Sequence, residues 1–292
     1  MLVVNGSLMK LFKKLPLVEK IVKAFSSEPE SVIGPTLEIT TVFPCAVSCK
    51  ICPQDKWKSA YKGKHRLTYD DFCTVLENIP KEVRLDFSGF SEPFLNRDAS
   101  RMIHHAYQNG YQVVLYTTLV GFTPQDAEVL KDINFTACTI HLPDDTNFKV
   151  PDVDKWLQSY ELFARSVKYD NAIYHMGKLS ARVKKEVRRI CRPPILTRAN
   201  NVDTGIIKPL VRHKGIIRCT ISNNIFNQNV MMPNGDVYLC CMDWSLQHKL
   251  GNLFDQPYET LHDSEEYHRI CQSMNDPSVE TICRYCERSS GN

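Results

Sequence analysis

The chain contains no run of about 18 apolar residues, the length a helix needs to cross a bilayer, so no segment reads as a membrane-spanning helix. It also lacks a strong charge of either sign: 36 Lys and Arg stand against 33 Asp and Glu, a net +3. That surplus is too small to argue for nucleic acid or an anionic membrane surface as a partner. Its first residues lack both a clean apolar core and a small-residue cleavage site, which excludes a secretory signal. Met1 to Phe25 instead mixes Lys13, Lys14, Lys20, Lys23 and Glu19 with apolar residues. This predicts an amphipathic surface helix that caps the domain, with a membrane-surface role as the alternative. Twelve cysteines are too few for a disulfide scaffold of 292 residues. In a chain without a secretory signal, grouped cysteines favour metal binding in a reducing cytoplasm.

A hydrophobic content of 43% is ample for a core. From residue 37 onward, strand-like and helix-like stretches alternate. Strands are predicted at Leu37–Phe43, Val83–Ser88, Tyr111–Thr118, Phe135–Leu142 and Asn171–Met176, with a sixth at Ile195–Thr197. Helices fall between them: Thr68–Asn78 capped by Thr68, about Arg97 to Asn109 stopped by Gly110, Pro124–Asp132 capped by Thr123, Val153–Val167, and a basic Ser180–Ile190. In the fourth, Trp156, Leu157, Tyr160 and Phe163 recur at helical spacing. Such alternation predicts an α/β fold, a parallel sheet with helices outside, whose ligands sit at the carboxyl ends of the strands. Lys178–Arg192 reads as a solvated helix face or as an attractor of phosphorylated substrate.

The cysteines group. Cys45, Cys49 and Cys52, spaced C-x3-C-x2-C, follow the first strand. Three thiolates on one loop can hold three irons of a 4Fe–4S cube and leave the fourth open to a small molecule. A structural zinc site would be closed by four ligands. Cys219, Cys240, Cys241, Cys283 and Cys286 lie in the last quarter; Cys73, Cys138, Cys191 and Cys271 are single and read as buried small hydrophobes. After the second strand comes Ser88–Gly89–Phe90–Ser91–Glu92–Pro93. There the glycine permits close approach of a ligand and the carboxylate can hold a ligand ammonium.

The triplet after the first strand and the Gly-x-x-Glu-Pro turn after the second resemble the radical S-adenosylmethionine (SAM) enzymes. The likeness runs from about Leu37 to Cys286. It implies a partial (β/α)6 barrel, with Cys45, Cys49 and Cys52 ligating a 4Fe–4S cluster whose open iron binds SAM. Reductive cleavage of SAM then gives a 5′-deoxyadenosyl radical. The same resemblance places Gly89, Ser91, Glu92 and Pro93, then Thr117, Thr118 and His141 at the third and fourth strand ends, on SAM. The chain departs from the pattern at Ile51, where an aromatic is usual, and at His141, which equally reads as a structural histidine.

Met232–Val237 predicts a hairpin with a type I′ turn at Asn234–Gly235. A helix at about Ser264–Met274 precedes Cys283-x2-Cys286. Four thiolates there suit either zinc or a second 4Fe–4S cluster. The C-x15-G-x4-C spacing from Cys219 to Cys240 resembles the SPASM extension of radical SAM enzymes in its shortened, single-cluster Twitch form. The ligand set this implies is Cys219, Cys240, Cys283 and Cys286, with Cys241 the alternative to Cys240. The resulting division is 1–36 as a helical cap, 37–210 as the radical SAM barrel and 211–292 as the auxiliary cluster domain.

The resemblance implies an oxidoreductase that takes hydrogen from a small hydroxylated molecule (a sugar, cyclitol or nucleotide-linked sugar), with the auxiliary cluster as electron acceptor. An external flavodoxin or ferredoxin type donor would supply electrons, and neither nucleic acid nor membrane would be a partner. Arg198 is the candidate substrate contact, against a surface arginine paired to a carboxylate. Only about 36 residues precede the first strand, too few for a separate leader-recognition domain, which favours a small molecule over a peptide. Two other readings stand beside this one: a radical SAM peptide-modifying enzyme, and a non-catalytic zinc or iron–sulfur protein.

Overall fold

The structure, a computed structural model, describes residues 34–291 apart from 204, 206 and 207. The expected N-terminal helix therefore lies outside the described residues. The first strand, β1 (Thr36–Ile39), alternates strictly: Leu37 and Ile39 are fully buried against the helices, whereas Glu38 faces the other side. It pairs in parallel with β2 (Arg84–Phe87), and the series continues through β3 (Val113–Thr117), β4 (Ala137–His141), β5 (Asn171–Ile173) and β6 (Ile190–Cys191). Helices α1 (Gln54–Ala60), α2 (Tyr69–Leu76), α3 (Ala99–Gln108), α4 (Pro124–Leu130), α5 (Val153–Ser166) and α6 (Ala181–Glu186) punctuate the strands.

The helix starts follow from their caps. Thr68 accepts from the Asp71 amide while Asp71 reaches back to the Thr68 amide, and Thr123 and Asp126 repeat the arrangement. Thr68→Ala is expected to cost about 1 kcal/mol of stability, checked by urea denaturation. On α5, Trp156, Leu157, Tyr160 and Phe163 are all buried, as their spacing predicts. These side chains join Phe72, Phe87, Leu115 and Ile140 in one core on the helical side of the sheet.

Three expectations need correction. The basic helix ends at Glu186, and Ile190–Cys191 forms the sixth strand in place of Ile195–Thr197. Pro193 and Pro194 have no amide to give to a ladder, so the chain pairs before them and turns after them. Being an edge strand, β6 leaves Cys191 exposed; of the single cysteines only Cys138 is fully buried. Helix α6 buries only Val183, which joins the helical-side core, and sets Arg182, Lys184 and Lys185 in solvent.

After the sixth strand the chain returns to β1. Strand β7 (Ile217–Cys219) pairs with the terminal β11 (Ser289–Gly291), and β8 (Gln228–Met231) adds in parallel to the free edge of β1. Strands β9 (Asp236–Tyr238) and β10 (Lys249–Asn252) continue antiparallel, followed by α7 (Glu265–Asn275). The result is one open nine-stranded sheet, ordered β10-β9-β8-β1-β2-β3-β4-β5-β6. The hairpin turn is not type I′, since only Gly235 takes a positive φ, +81°. Pro233 instead sets a type I turn closed by Gly235 N–H to Met232 O at 2.9 Å, and Gly235 forms the bulge behind it.

Candidate active site

The carboxyl ends of the parallel strands open into a cavity of about 640 Å³. Cys45, Cys49 and Cys52 line it from the loop after β1, and Cys219, Cys240, Cys283 and Cys286 line it from the C-terminal quarter. The first loop is pinned from outside: Asn147, just beyond β4, accepts from the Ile51 amide at 3.0 Å through its side chain and from the Lys50 amide at 3.0 Å through its carbonyl. Gln54 donates to Cys52 Sγ at 3.3 Å and to the Phe90 carbonyl at 3.0 Å, which ties α1 to the turn after β2. The Glu92 amide lies 3.4 Å from Cys45 Sγ.

Burial pushes the Cys45 thiol up to about 11 and raises Cys49 and Cys52 as well; Cys52 and Cys45 add to the effect on Cys49. A bound metal reverses that balance, because coordination requires the thiolate. Among the described residues, no three His, Cys, Asp or Glu converge on a single-ion site. A cube asks for less convergence, since each thiolate bonds its own iron. Three cysteines on one pinned loop, beside a cavity large enough for a nucleoside-sized ligand, fit a 4Fe–4S cluster with a small molecule on it.

The turn after β2 holds a more interior carboxylate than the sequence suggests. Glu92 Oε1 accepts from Thr117 Oγ1 at 2.7 Å and from the Phe94 amide at 3.2 Å; Oε2 accepts from the Thr118 amide and hydroxyl at 2.5 and 2.6 Å. Glu92, Thr117 and Thr118, three separate candidates in sequence, thus form one network that locks the end of β3 to β2. Burial still outweighs these hydrogen bonds and raises the Glu92 carboxyl. Gly89 meets protein as well: its φ is +54°, and an added Cβ would stand 2.2 Å from Thr40 Oγ1, which accepts from the Phe90 amide at 3.1 Å. Gly89→Ala is expected to destabilise the fold by about 2–3 kcal/mol, measured by thermal or urea unfolding. Pro93 does not line the cavity; it opens the short 3-10 turn Pro93–Leu95. Ser91 does line it, with its hydroxyl buried and, among the described residues, without a hydrogen-bond partner.

His141 ends β4 at the cavity wall, its ring centre 5.7 Å from that of His175. Burial drives His141 down to about 3, with His175 and Arg198 adding to the effect, so it is neutral at pH 7. Arg198 also faces the cavity, its guanidinium 5.4 Å from the Trp244 ring centre. It opens a run of three positive-φ residues, Arg198, Ala199 and Asn200. That backbone is held from several sides: the Ala199 amide donates to Glu287 at 3.1 Å, Asn200 exchanges bonds with Leu210 at 2.7 and 2.8 Å, and Asn201 Nδ2 reaches Met242 O at 2.8 Å.

Cys240 and Cys241 stand at the start of a turn, closed by the Asp243 amide donating to the Cys240 carbonyl at 3.0 Å, and their side chains join different clusters. Cys240 packs against the cluster of Ala199, Met242 and Cys286, which Ile282 also borders, and Cys241 against the cluster built on Trp57, Phe90 and Trp244, which Cys45 and Cys52 also border. Burial raises both thiols well above the usual range; after burial, Cys240 responds to Cys241, Cys286 and Cys283, whereas Cys241 responds first to Glu38. Geometry therefore groups Cys240 with the C-terminal set. His248 supports that set: its Nε2 accepts from the Ile282 amide at 3.2 Å while Nδ1 bonds Glu266 at 2.6 Å.

Several cavity residues were not singled out in sequence. Glu38, Arg84, Asp86 and Tyr116 line the cavity from β1, β2 and β3. A charged residue alternating with Leu37, Ile39, Leu85 and Phe87 was the available signal, since such a side chain must face away from the core.

Residues 219–287 match the family of SPASM iron–sulfur cluster-binding domains. No curated protein matches the chain. Among solved structures, BtrN in complex with AdoMet and 2-DOIA aligns at TM-score 0.55 and 12% identity, over 89% of this chain and 94% of that one. anSMEcpe with bound AdoMet aligns at 0.54 and 14%, over 86% and 83%. Streptococcus suis SuiB bound to precursor peptide SuiA aligns at 0.60 and 12%, over 97% and 75%. The chain shares its α/β fold with these three structures, and its last quarter matches the iron–sulfur SPASM model, as the resemblance stated for the sequence implies.

Proposed function

We propose that this chain is a radical SAM enzyme that oxidises a small hydroxylated molecule, of the sugar, cyclitol or nucleotide-linked sugar kind. One observation carries the reading: the N-terminal triplet and the C-terminal cysteines line a single cavity at the carboxyl ends of the strands, with Arg198 lining the same space. Cys45, Cys49 and Cys52 would hold a 4Fe–4S cluster with SAM, and Cys219, Cys240, Cys283 and Cys286 a second cluster. When bound, these groups supply a 5′-deoxyadenosyl radical for hydrogen abstraction and an electron acceptor.

The chain's own residues do the rest. Gln54 and the Glu92 amide hydrogen-bond Cys52 and Cys45, fixing the loop against α1 and the turn after β2. The Ser91 hydroxyl, without a partner among the described residues, is positioned for a polar group of SAM. His141 and His175, both shifted toward the neutral form chiefly by burial, offer hydrogen bonds without adding charge. Arg198, supported by its braced backbone, anchors substrate. A flavodoxin or ferredoxin type donor and a cytoplasmic setting complete the proposal.

The test is iron and sulfide content after anaerobic reconstitution, followed by dithionite, SAM and an assay for 5′-deoxyadenosine. About eight irons per chain with 5′-deoxyadenosine formed supports the two-cluster enzyme, since each cube holds four. No iron, or iron without SAM cleavage, sinks it.

A further inference from the structure

The loop that carries Cys45, Cys49 and Cys52 has two faces. Val47 and Ile51 line the cavity beside the cysteines, whereas Pro44, Ala46, Ser48 and Lys50 are exposed on the outside. Cations crowd around that outer face. Residues 50–66 hold Lys50, Lys56, Lys58, Lys62, Lys64 and Arg66 against the single acid Asp55, a net +5, whereas the whole chain carries only +3. All six cations are exposed, and so is His65. Among the described residues, only Lys64 of the six enters an ion pair, with Asp71 at 2.6 Å. The backbone beneath is fixed: Gln54, Trp57 and Tyr61 turn inward from α1 and its end, leaving Lys56 and Lys58 in solvent. Tyr61 Oη donates to the Lys64 carbonyl at 2.7 Å, the Phe43 amide donates to the His65 carbonyl at 2.6 Å, and Arg66 bridges Val42. The basic stretch therefore flanks the cysteine loop on both sides, following Cys52 and pairing with the residues before Cys45. Packed rings link it to the sulfurs. His65 meets Phe43 at 5.4 Å and Phe43 meets Trp57 at 4.8 Å between ring centres, and Cys45 and Cys52 border the cluster built on Trp57.

We propose that this basic face docks a small acidic protein that carries single electrons, of the flavodoxin type, and that the electron enters through the outside of the cysteine loop. The proposal rests on the radical-enzyme reading for the metal at the triplet, and it adds where the donor sits. The electron count is one for one: the carrier is oxidised by one electron and the cluster held by the loop is reduced by one. With the cavity side of the loop given to SAM and substrate, the outer face is the approach left to a protein. Like charges gathered on one face repel one another, and an acidic partner relieves that repulsion and is steered to the spot. The chain's own first 25 residues, with five lysines and one acid, share the sign of this face and do not complement it. A bilayer or a nucleic acid would also answer cations, but neither accounts for their gathering around the cysteine loop.

The test uses the full chain, reconstituted anaerobically and supplied with SAM, and an acidic flavodoxin as probe. Calorimetric titration at about 20 mM and about 200 mM salt reads docking, with binding expected to weaken at the higher salt. Formation of 5′-deoxyadenosine driven by reduced flavodoxin, or by dithionite, which needs no docking surface, reads electron delivery. Combining Lys56→Glu, Lys58→Glu and Lys62→Glu is expected to weaken flavodoxin binding at low salt, and to slow flavodoxin-driven cleavage, at least about tenfold. Iron content and dithionite-driven cleavage are expected to stay unchanged, and arginine at the same three positions to keep wild-type binding. The same reversal at Lys184, Lys185 and Arg188, exposed on and just after α6, controls for net charge and is expected to change binding less than about threefold. No flavodoxin binding by the wild type, binding indifferent to salt, or equal effects of the two reversals overturns the proposal. So does tighter binding to phosphatidylglycerol vesicles or double-stranded RNA than to flavodoxin, or loss of dithionite-driven cleavage in the Lys56 variant. The broader reading fails separately, only if the wild-type protein forms no 5′-deoxyadenosine with dithionite.

Discussion

Replacing Cys45, Cys49 and Cys52 together by alanine is expected to remove about four irons per chain and all formation of 5′-deoxyadenosine, while the C-terminal metal stays. The three side chains share one loop, and the cavity beside them opens at the ends of the strands, where ligands of such sheets bind. The variant loses the bonds from Gln54 and the Glu92 amide to two sulfurs but keeps those that do not involve them: Lys50 and Ile51 to Asn147, and Cys52 N–H to Cys49 O at 3.1 Å. The substitutions should therefore spare the fold, and circular dichroism checks that point. Iron analysis and chromatography of the nucleoside product then read the two losses separately. A triple variant that still cleaves SAM removes the assignment of this loop.

The position of that loop was legible because hydrophobic alternation in the strands and cysteine spacing are local signals. Leu37 and Ile39 announce β1, and the triplet follows within one turn of it. Thr68 and Thr123 announce their helices with equal economy, through a side chain three residues from its partner. What sequence could not give was pairing across distance. Glu92 reads as a free carboxylate beside a glycine, yet both of its oxygens are taken by Thr117 and Thr118, residues on another strand. Gly89 reads as room for a ligand, and Thr40 uses that room. Glu38 was passed over because a lone glutamate between apolar residues looks solvent-facing. Only the register with Asp86 and the returning Cys241 segment reveal where it lies.

The second large effect separates two neighbours. Cys240→Ser is expected to strip the C-terminal centre of its metal, whether iron or zinc, whereas Cys241→Ser keeps it. The turn that begins at Cys240, closed by the Asp243 amide on the Cys240 carbonyl at 3.0 Å, parts the two side chains. Here Cys240 joins the cluster of Met242 and Cys286, and Cys241 joins that of Trp57 and Trp244. Substituting one of four thiolates leaves a site that no longer closes, and such sites bind metal far more weakly. Metal analysis of both variants, with the N-terminal iron counted as an internal standard, decides the matter. Metal loss from Cys241→Ser with retention in Cys240→Ser would reverse the assignment.

The docking of β8 onto β1 has a consequence for how this chain comes into being. Thr36 pairs with Arg84 on one side and with Gln228 on the other. On the ribosome the first of these pairings is available early, but the second must wait until most of the chain has emerged. Until then, one side of β1 is an unpaired template of the kind that recruits other strands. Contacts this distant in sequence slow the search for the native state. A fragment ending at residue 210 is expected to associate through that bare edge, as light scattering would show, while the full chain stays dispersed. Assembly of the C-terminal metal centre is then a late event, because Cys240, Cys283 and Cys286 all lie beyond β8 in the chain.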